Sequence, residues 1–345
     1  VFSDAANDAL EKEFCIVTPS PLQKVNADWS DLLSFDGICE AVSTKDAFKQ
    51  MEVWCKRDDL LHPIISGNKW RKLAKPLQDF MHERPKHILS FGGPYSNHLH
   101  ALAYCCHQLN IKFTAVIRGA YLEKQKLNPT LQDLRDWQCN LVFVDKASYQ
   151  RRTESDYLAA LQKELDVDVI IPEGGSQQDA IYGMQDMLEE IRIAAQDKPF
   201  DAILIPVGSG ASMAGIVEYC QSNIAKEIIG IASLQGENYL ESLVSQFLNK
   251  AEGSLNKDTP ILPWHINHNF HFGGYAKSTP ELESFCKKFN HHQKSLLNKD
   301  TPIFVEPVYS GKCFYAAASL IKHGHFPPNS KILIIHTGGL QGLRS

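Results

Sequence analysis

Seven short apolar runs constrain the fold of this chain more than any other feature: His87–Phe91, Phe113–Ile117, Leu141–Val144, Val167–Ile171, Ala202–Val207, Ile228–Ala232 and Lys331–His336. Most stop at Gly or Pro. None alternates cleanly between apolar and polar residues, so each reads as a strand buried on both faces, as in a parallel sheet. Helical patterns lie between them. His98–Leu109 puts Leu99, Leu102, Ala103, Cys106 and Leu109 on one face, and Tyr157–Leu165 and Ala180–Ile193 behave alike. Strand alternating with helix predicts open α/β layers with mostly parallel sheets. A chain of 345 residues is long enough for two such units.

Ligands of open α/β sheets bind beyond the carboxyl ends of the strands. Four of the predicted strands end there in Gly-rich turns: GGPYSN (92–97), PEGGS (172–176), GSGASMAG (208–215) and TGG (337–339). Glycines leave backbone amides free to approach an anion, and the helix that follows favours negative charge at its start. In GSGASMAG, the residues Gly208, Ser209, Gly210, Ala211 and Ser212 offer amides and two hydroxyls to a phosphate. No lysine follows its last glycine, so it is not a Walker loop. Its GxGxxxG spacing departs from the dinucleotide fingerprint.

One lysine stands out before these turns. Lys69, in Ser66-Gly67-Asn68-Lys69-Trp70-Arg71-Lys72, opens an apolar helical stripe of Trp70, Leu73, Leu77 and Met81. Ser66 or Asn68 is the expected cap, and Pro76 predicts a kink or restart. Positive charge is poorly placed at a helix start. An amine that loses its charge on desolvation, as a Schiff-base lysine does, suits the position. Ser96 is read as a helix cap that could also hold a carboxylate. His265, His268 and His271 form HxxHxxH without a carboxylate among them, which favours a polar loop over a metal site. The heptapeptide LNKDTPI occurs twice, at 255–261 and 297–303, each copy expected to lead from a loop into a strand.

Composition narrows the partners. A net charge of −5 with no basic tail argues against nucleic acid, and no apolar run approaches the length of a membrane span. The N-terminal residues carry neither a basic n-region nor an apolar h-region, so no signal peptide is expected. Nine cysteines without a CxxC read as reduced, in a cytoplasmic setting.

Taken together, RDDL (57–60), GNKWRKL (67–73), GGPYSNH (92–98), PEGGS (172–176), the phosphate turn, PVYSGK (307–312) and HTGG (336–339) are similar in order and spacing to the fold-type II pyridoxal phosphate enzymes, the tryptophan synthase β superfamily. Within it they most resemble the branch of 1-aminocyclopropane-1-carboxylate (ACC) deaminases and D-cysteine desulfhydrases. The resemblance implies two three-layer α/β/α domains, a larger one of residues 1–71 and 182–345 and a smaller inserted one of 72–181. It implies pyridoxal 5'-phosphate as cofactor, a small amino acid as substrate, and a homodimer. Lys69 would bond the cofactor aldehyde, Asn97 would face its phenolic oxygen, and Gly208 to Ser212 would hold its phosphate. Ser96 would hold the substrate carboxylate, Tyr309 and Tyr275 would face the substrate, and Ser310 or Thr337 would lie near the pyridine nitrogen. ACC deaminases typically carry Glu after the PVY tyrosine and Leu between His and Gly-Gly. Ser310 and Thr337 match the desulfhydrase side. A hydroxyl cannot supply the charge that deepens the electron sink for ring opening, whereas loss of thiolate needs less help. The expected reaction is therefore D-cysteine to pyruvate, sulfide and ammonia, with ACC or another amino-acid deamination as the alternative. Ala276 follows Tyr275 where the family usually has Gly.

Overall fold

The computed structural model describes residues 4–33, 48, 50–236, 238–250, 260–297 and 301–344. Ten strands follow in chain order: β1 (Leu22–Lys24), β2 (Glu52–Lys56), β3 (His87–Gly92), β4 (Lys112–Arg118), β5 (Asn140–Val144), β6 (Val169–Ile171), β7 (Phe200–Val207), β8 (Ala225–Ala232), β9 (Trp264–Asn267) and β10 (Lys331–Ile335). They form two sheets. The larger has the order β1-β2-β10-β7-β8-β9 and the smaller β5-β4-β3-β6. Every pair is parallel except β1 with β2. The fold is thus α/β with mostly parallel sheets, and each of the seven apolar runs overlaps a strand.

Period-2 alternation sends side chains to opposite faces. In β7 and β10, Ala202, Leu204, Ile332 and Ile334 enter one buried cluster, while Ile203, Ile205, Leu333 and Ile335 enter the other. Helices cover both clusters, which gives three layers. The smaller sheet repeats the plan. Ile88, Phe113, Ala115 and Ile117 pack on one side, and Leu89, Phe91 and Val116 on the other. Among the described residues no helix is long and apolar enough to cross a membrane.

The helix that carries Lys69 runs from Asn68 to Glu83 with Pro76 inside it, so the chain does not restart there. Its buried stripe of Trp70, Leu73, Leu77 and Phe80 packs into the core of the smaller sheet, and this burial outweighs the amide hydrogen bond that Pro76 cannot make. A buried charge cluster anchors the same helix. The Arg71 guanidinium donates to Asp58 at 2.9 and 3.1 Å and to Glu190 at 2.8 Å through two nitrogens. Asp58 belongs to RDDL and Glu190 to the helix Gly183–Ala194, so one side chain ties three segments together.

Residues 255–259 of the first LNKDTPI copy, and 298–300 of the second, lie outside the described residues. The first copy is soon followed by β9. The second is not followed by a strand. Its carbonyls at Thr301 and Pro302 accept from Arg57, and the Ile303 amide donates to Gln293. Side chains thus satisfy the backbone that a sheet partner would have taken.

Candidate active site

Lys69 stands in the first turn of its helix, capped by no side chain. The N-cap is Gly67, not Ser66 or Asn68. Its φ is 67°, and a Cβ there would lie 2.0 Å from the Thr337 carbonyl oxygen. Only glycine lets the His336-Thr337-Gly338 turn sit flat on the start of the lysine helix. The Lys69 Nζ donates to Asn68 Oδ1 at 2.5 Å, and Asn68 Nδ2 donates to Ser212 Oγ at 2.9 Å. Asn68 therefore links the amine to the 208–212 turn. Burial pushes the Lys69 amine down to about 8.

The 208–212 turn leaves β7 and opens the helix Ala211–Tyr219. Gly210 has φ 82° and no side chain caps that helix. Beside the turn lies Lys72, one helical turn after Lys69 and 3% exposed. Its Nζ donates to the Gly174 carbonyl at 2.8 Å and to Ser209 Oγ at 3.1 Å. No carboxylate lies within ion-pair distance of it among the described residues. Burial, then the charge of Lys69, holds its pKa well below the usual lysine value. Ser176 Oγ, also beside Gly174, is buried without a hydrogen-bond partner. A buried amine with no carboxylate beside it, an uncapped helix start and three hydroxyls make a cradle suited to one anion. The phosphate of pyridoxal phosphate fits this cradle, and the adjacent low-pKa amine fits its aldehyde.

The remaining candidates lie around this pair. Tyr309 packs on the 208–212 turn, since a Cβ on Gly208 would sit 3.3 Å from its ring. Tyr275 packs edge-on to Tyr309, with ring centroids 6.2 Å apart, and lies over Gly93 of the GGPYSN turn. Burial pushes the Tyr275 phenol up to about 12 and holds Tyr309 well above the usual value, so both carry their protons at neutral pH. Ser96 caps the helix Asn97–Gln108, accepting the Leu99 amide at 3.2 Å. Its own hydroxyl proton remains to donate. Asn97 Oδ1 accepts from Gln341 Nε2, its NH2 group has no partner among the described residues, and Gly339 lies against that group.

Ser310 and Thr337 differ. Ser310 is buried, and its Oγ accepts the Glu306 amide at 2.9 Å and donates to the Glu306 carboxylate at 3.3 Å. That carboxylate also accepts the amides of Val308, Tyr309 and Ser310 at 2.6, 2.8 and 2.9 Å. The Thr337 hydroxyl makes no hydrogen bond among the described residues. The three histidines of HxxHxxH go to separate tasks. His265 lies on β9, His268 pairs with Glu241 at 2.7 Å, and His271 Nδ1 accepts the Gly273 amide.

Sequence reasoning missed Asn68, Lys72, Glu306 and Gln341. Lys72 was within reach, because a residue three after Lys69 shares its helix face. Glu306 was legible as an acid just before a helix start. Nothing in the sequence marks Gln341.

Comparison with known proteins agrees with this geometry. A family model described as pyridoxal-phosphate dependent enzyme matches residues 39–338. A provisionally named ACC deaminase from Pyrococcus horikoshii is 29% identical over 294 residues, covering 84% of this chain and 85% of that protein. A mitochondrial bifunctional D-cysteine desulfhydrase/ACC deaminase from Arabidopsis thaliana is 28% identical over 305 residues, covering 85% and 73%. A crystal structure of an ACC deaminase homologue superposes with a TM-score of 0.76 at 25% identity, covering 99% of this chain and 97% of the other.

Proposed function

This chain belongs to the family of pyridoxal-phosphate-dependent enzymes, and from that premise we propose that it is a lyase that converts D-cysteine and water to pyruvate, hydrogen sulfide and ammonia. One observation carries the choice of a thiolate leaving group. Glu306, the carboxylate in contact with Ser310, is committed to three backbone amides. The uncommitted group on offer to the pyridine nitrogen is then the Thr337 hydroxyl, which brings no negative charge. That environment suits expulsion of a good leaving group better than opening of an unactivated ring. The second reading, deamination of ACC, is favoured by the names of the relatives.

Pyridoxal phosphate, when bound, supplies the sink for the electrons left by loss of the α-proton. The rest falls to the protein. Lys69, with its amine near neutrality, takes the α-proton. Ser96 and the amides at the start of its helix hold the substrate carboxylate. The free Asn97 amide, oriented by Gln341, faces the phenolic oxygen. Lys72, Ser209, Ser212 and the amides from Gly208 to Ser212 hold the phosphate. Tyr309 or Tyr275, both protonated, donates a proton to the departing sulfur.

Three finer proposals accompany this reading. The segregation of β3 to β6 into their own sheet supports a smaller domain at 72–181 inserted into a larger one of 1–71 and 182–345. A cytoplasmic setting is supported by eight described cysteines that are all free. A homodimer rests on the family resemblance alone. The deciding assay supplies purified protein with D-cysteine, L-cysteine and ACC, and follows sulfide and keto acid separately. Sulfide with pyruvate from D-cysteine supports the proposal. 2-Oxobutyrate from ACC, with no sulfide from either cysteine, replaces it with the second reading.

A further inference from the structure

Lys312 is fully buried, yet no carboxylate lies within ion-pair distance of it among the described residues. Its three N–H donors go to three backbone carbonyls: Gly274 at 2.8 Å, His271 at 2.9 Å and Ser233 at 3.3 Å. The Gly274 carbonyl also accepts the Lys277 amide, and the His271 carbonyl the Gly274 amide, so the ammonium takes the second lone pair of each. The loop that presents them is backbone-strained. Phe272, Gly273, Gly274 and Ala276 have φ of 49°, 90°, 110° and 53°. Two of these are L residues in the left-handed region, which ordinarily favours glycine. Carbonyl oxygens converging at one point repel each other unless a cation sits between them.

The position of this cage gives it meaning. The Gly274 carbonyl belongs to the peptide plane from which Tyr275 hangs. Lys312 itself lies three residues after Tyr309 on the helix Ser310–Lys322. Glu306 fixes the amide of Tyr309 at the same helix start. One cation therefore connects the segments that carry both phenols.

We propose that Lys312 is a tethered monovalent cation that positions Tyr275 against Tyr309 by holding the His271 and Gly274 carbonyls, and so serves as a positioning residue for proton delivery. The proposal rests on the reading above that Tyr275 faces the substrate. Lys312→Ala would leave a carbonyl-lined space that accepts ammonium or potassium. Lys312→Met would fill the space without charge.

The test uses cofactor-loaded protein. Both variants should keep their cofactor affinity and lose kcat for D-cysteine by ~100-fold, the scale of a displaced catalytic group. Ammonium chloride should restore Lys312→Ala several-fold over sodium chloride at equal ionic strength, and leave Lys312→Met and the wild type unchanged. In a Tyr275→Phe background, Lys312→Ala should cost little more, and the rescue should vanish. Wild-type kcat in either variant, or a loss in Lys312→Ala that ammonium leaves untouched, overturns the proposal. A melting temperature raised by ammonium in Lys312→Ala alone reports the cation site without any substrate. Failure of the D-cysteine reading and failure of this inference thus remain distinguishable.

Discussion

Lys72→Met tests the anion cradle directly. The Lys72 amine is 3% exposed, bound among the described residues to a carbonyl and a hydroxyl, and is held well below its ordinary pKa by burial and by Lys69. Without an anion it is a buried charge with no counter-charge, so replacing it by methionine should leave the apo protein as stable or slightly more so. With a phosphate in the cradle the same change removes a charge-assisted hydrogen bond worth about 2–3 kcal/mol, or about 30- to 150-fold in dissociation constant. The assay titrates apo protein with pyridoxal phosphate and, in parallel, with pyridoxal, which lacks the phosphate. Any effect of Lys72 on the Lys69 amine touches both ligands equally, so the ratio isolates the phosphate contact. Pyridoxal phosphate should weaken by the stated factor while pyridoxal changes less than about threefold. Equal weakening of the two ligands, or none, refutes the assignment.

Arg71→Met leaves Asp58 and Glu190 buried without their shared partner and should cost about 3–5 kcal/mol in denaturant unfolding of the apo protein. A loss below about 1 kcal/mol would show that the cluster does not anchor the lysine helix. Gly67→Ala places a Cβ against the Thr337 carbonyl and strains a left-handed residue, so it should cost upwards of about 1–3 kcal/mol and abolish cofactor capture. Near-normal capture would mean that the 336–338 turn does not seat the lysine. The rate at which apo protein captures pyridoxal phosphate should rise as pH passes through about 8 and level off above it, because only the neutral Lys69 amine attacks an aldehyde. A rate still climbing toward the ordinary lysine range would show that burial leaves this amine unperturbed.

The sheet order was not in the sequence, but its ingredients were. The seven apolar runs overlap strands because their unbroken apolar sequence leaves no polar alternation to misread, although β5 is only half-buried. β2 and β9, spelled EVWCK and WHIN, escaped because their polar residues mimic a loop. Lys56 shows why. It is fully buried in β2 only because Glu190 and the Ser20 carbonyl, both remote in sequence, receive its ammonium at 2.5 and 2.6 Å. The turns around Lys69 were legible as Gly-rich strand ends. Their supporting charges were not, since nothing local distinguishes the buried Lys72, Glu306 or Lys312 from solvated ones. Ser310 and Thr337 looked equivalent in sequence. Glu306 separates them by occupying Ser310 and leaving the Thr337 hydroxyl open.

Everything proposed for this site turns on Lys69 bonding the cofactor. Lys69 and Lys72 are adjacent on one helix face and both lowered in pKa, so one amine must be told from the other. Borohydride reduction of the cofactor-loaded protein, followed by digestion and mass spectrometry, does so. A pyridoxyl phosphate adduct on Lys69 alone is the expected result. An adduct on Lys72, or no adduct on this helix, would contradict it.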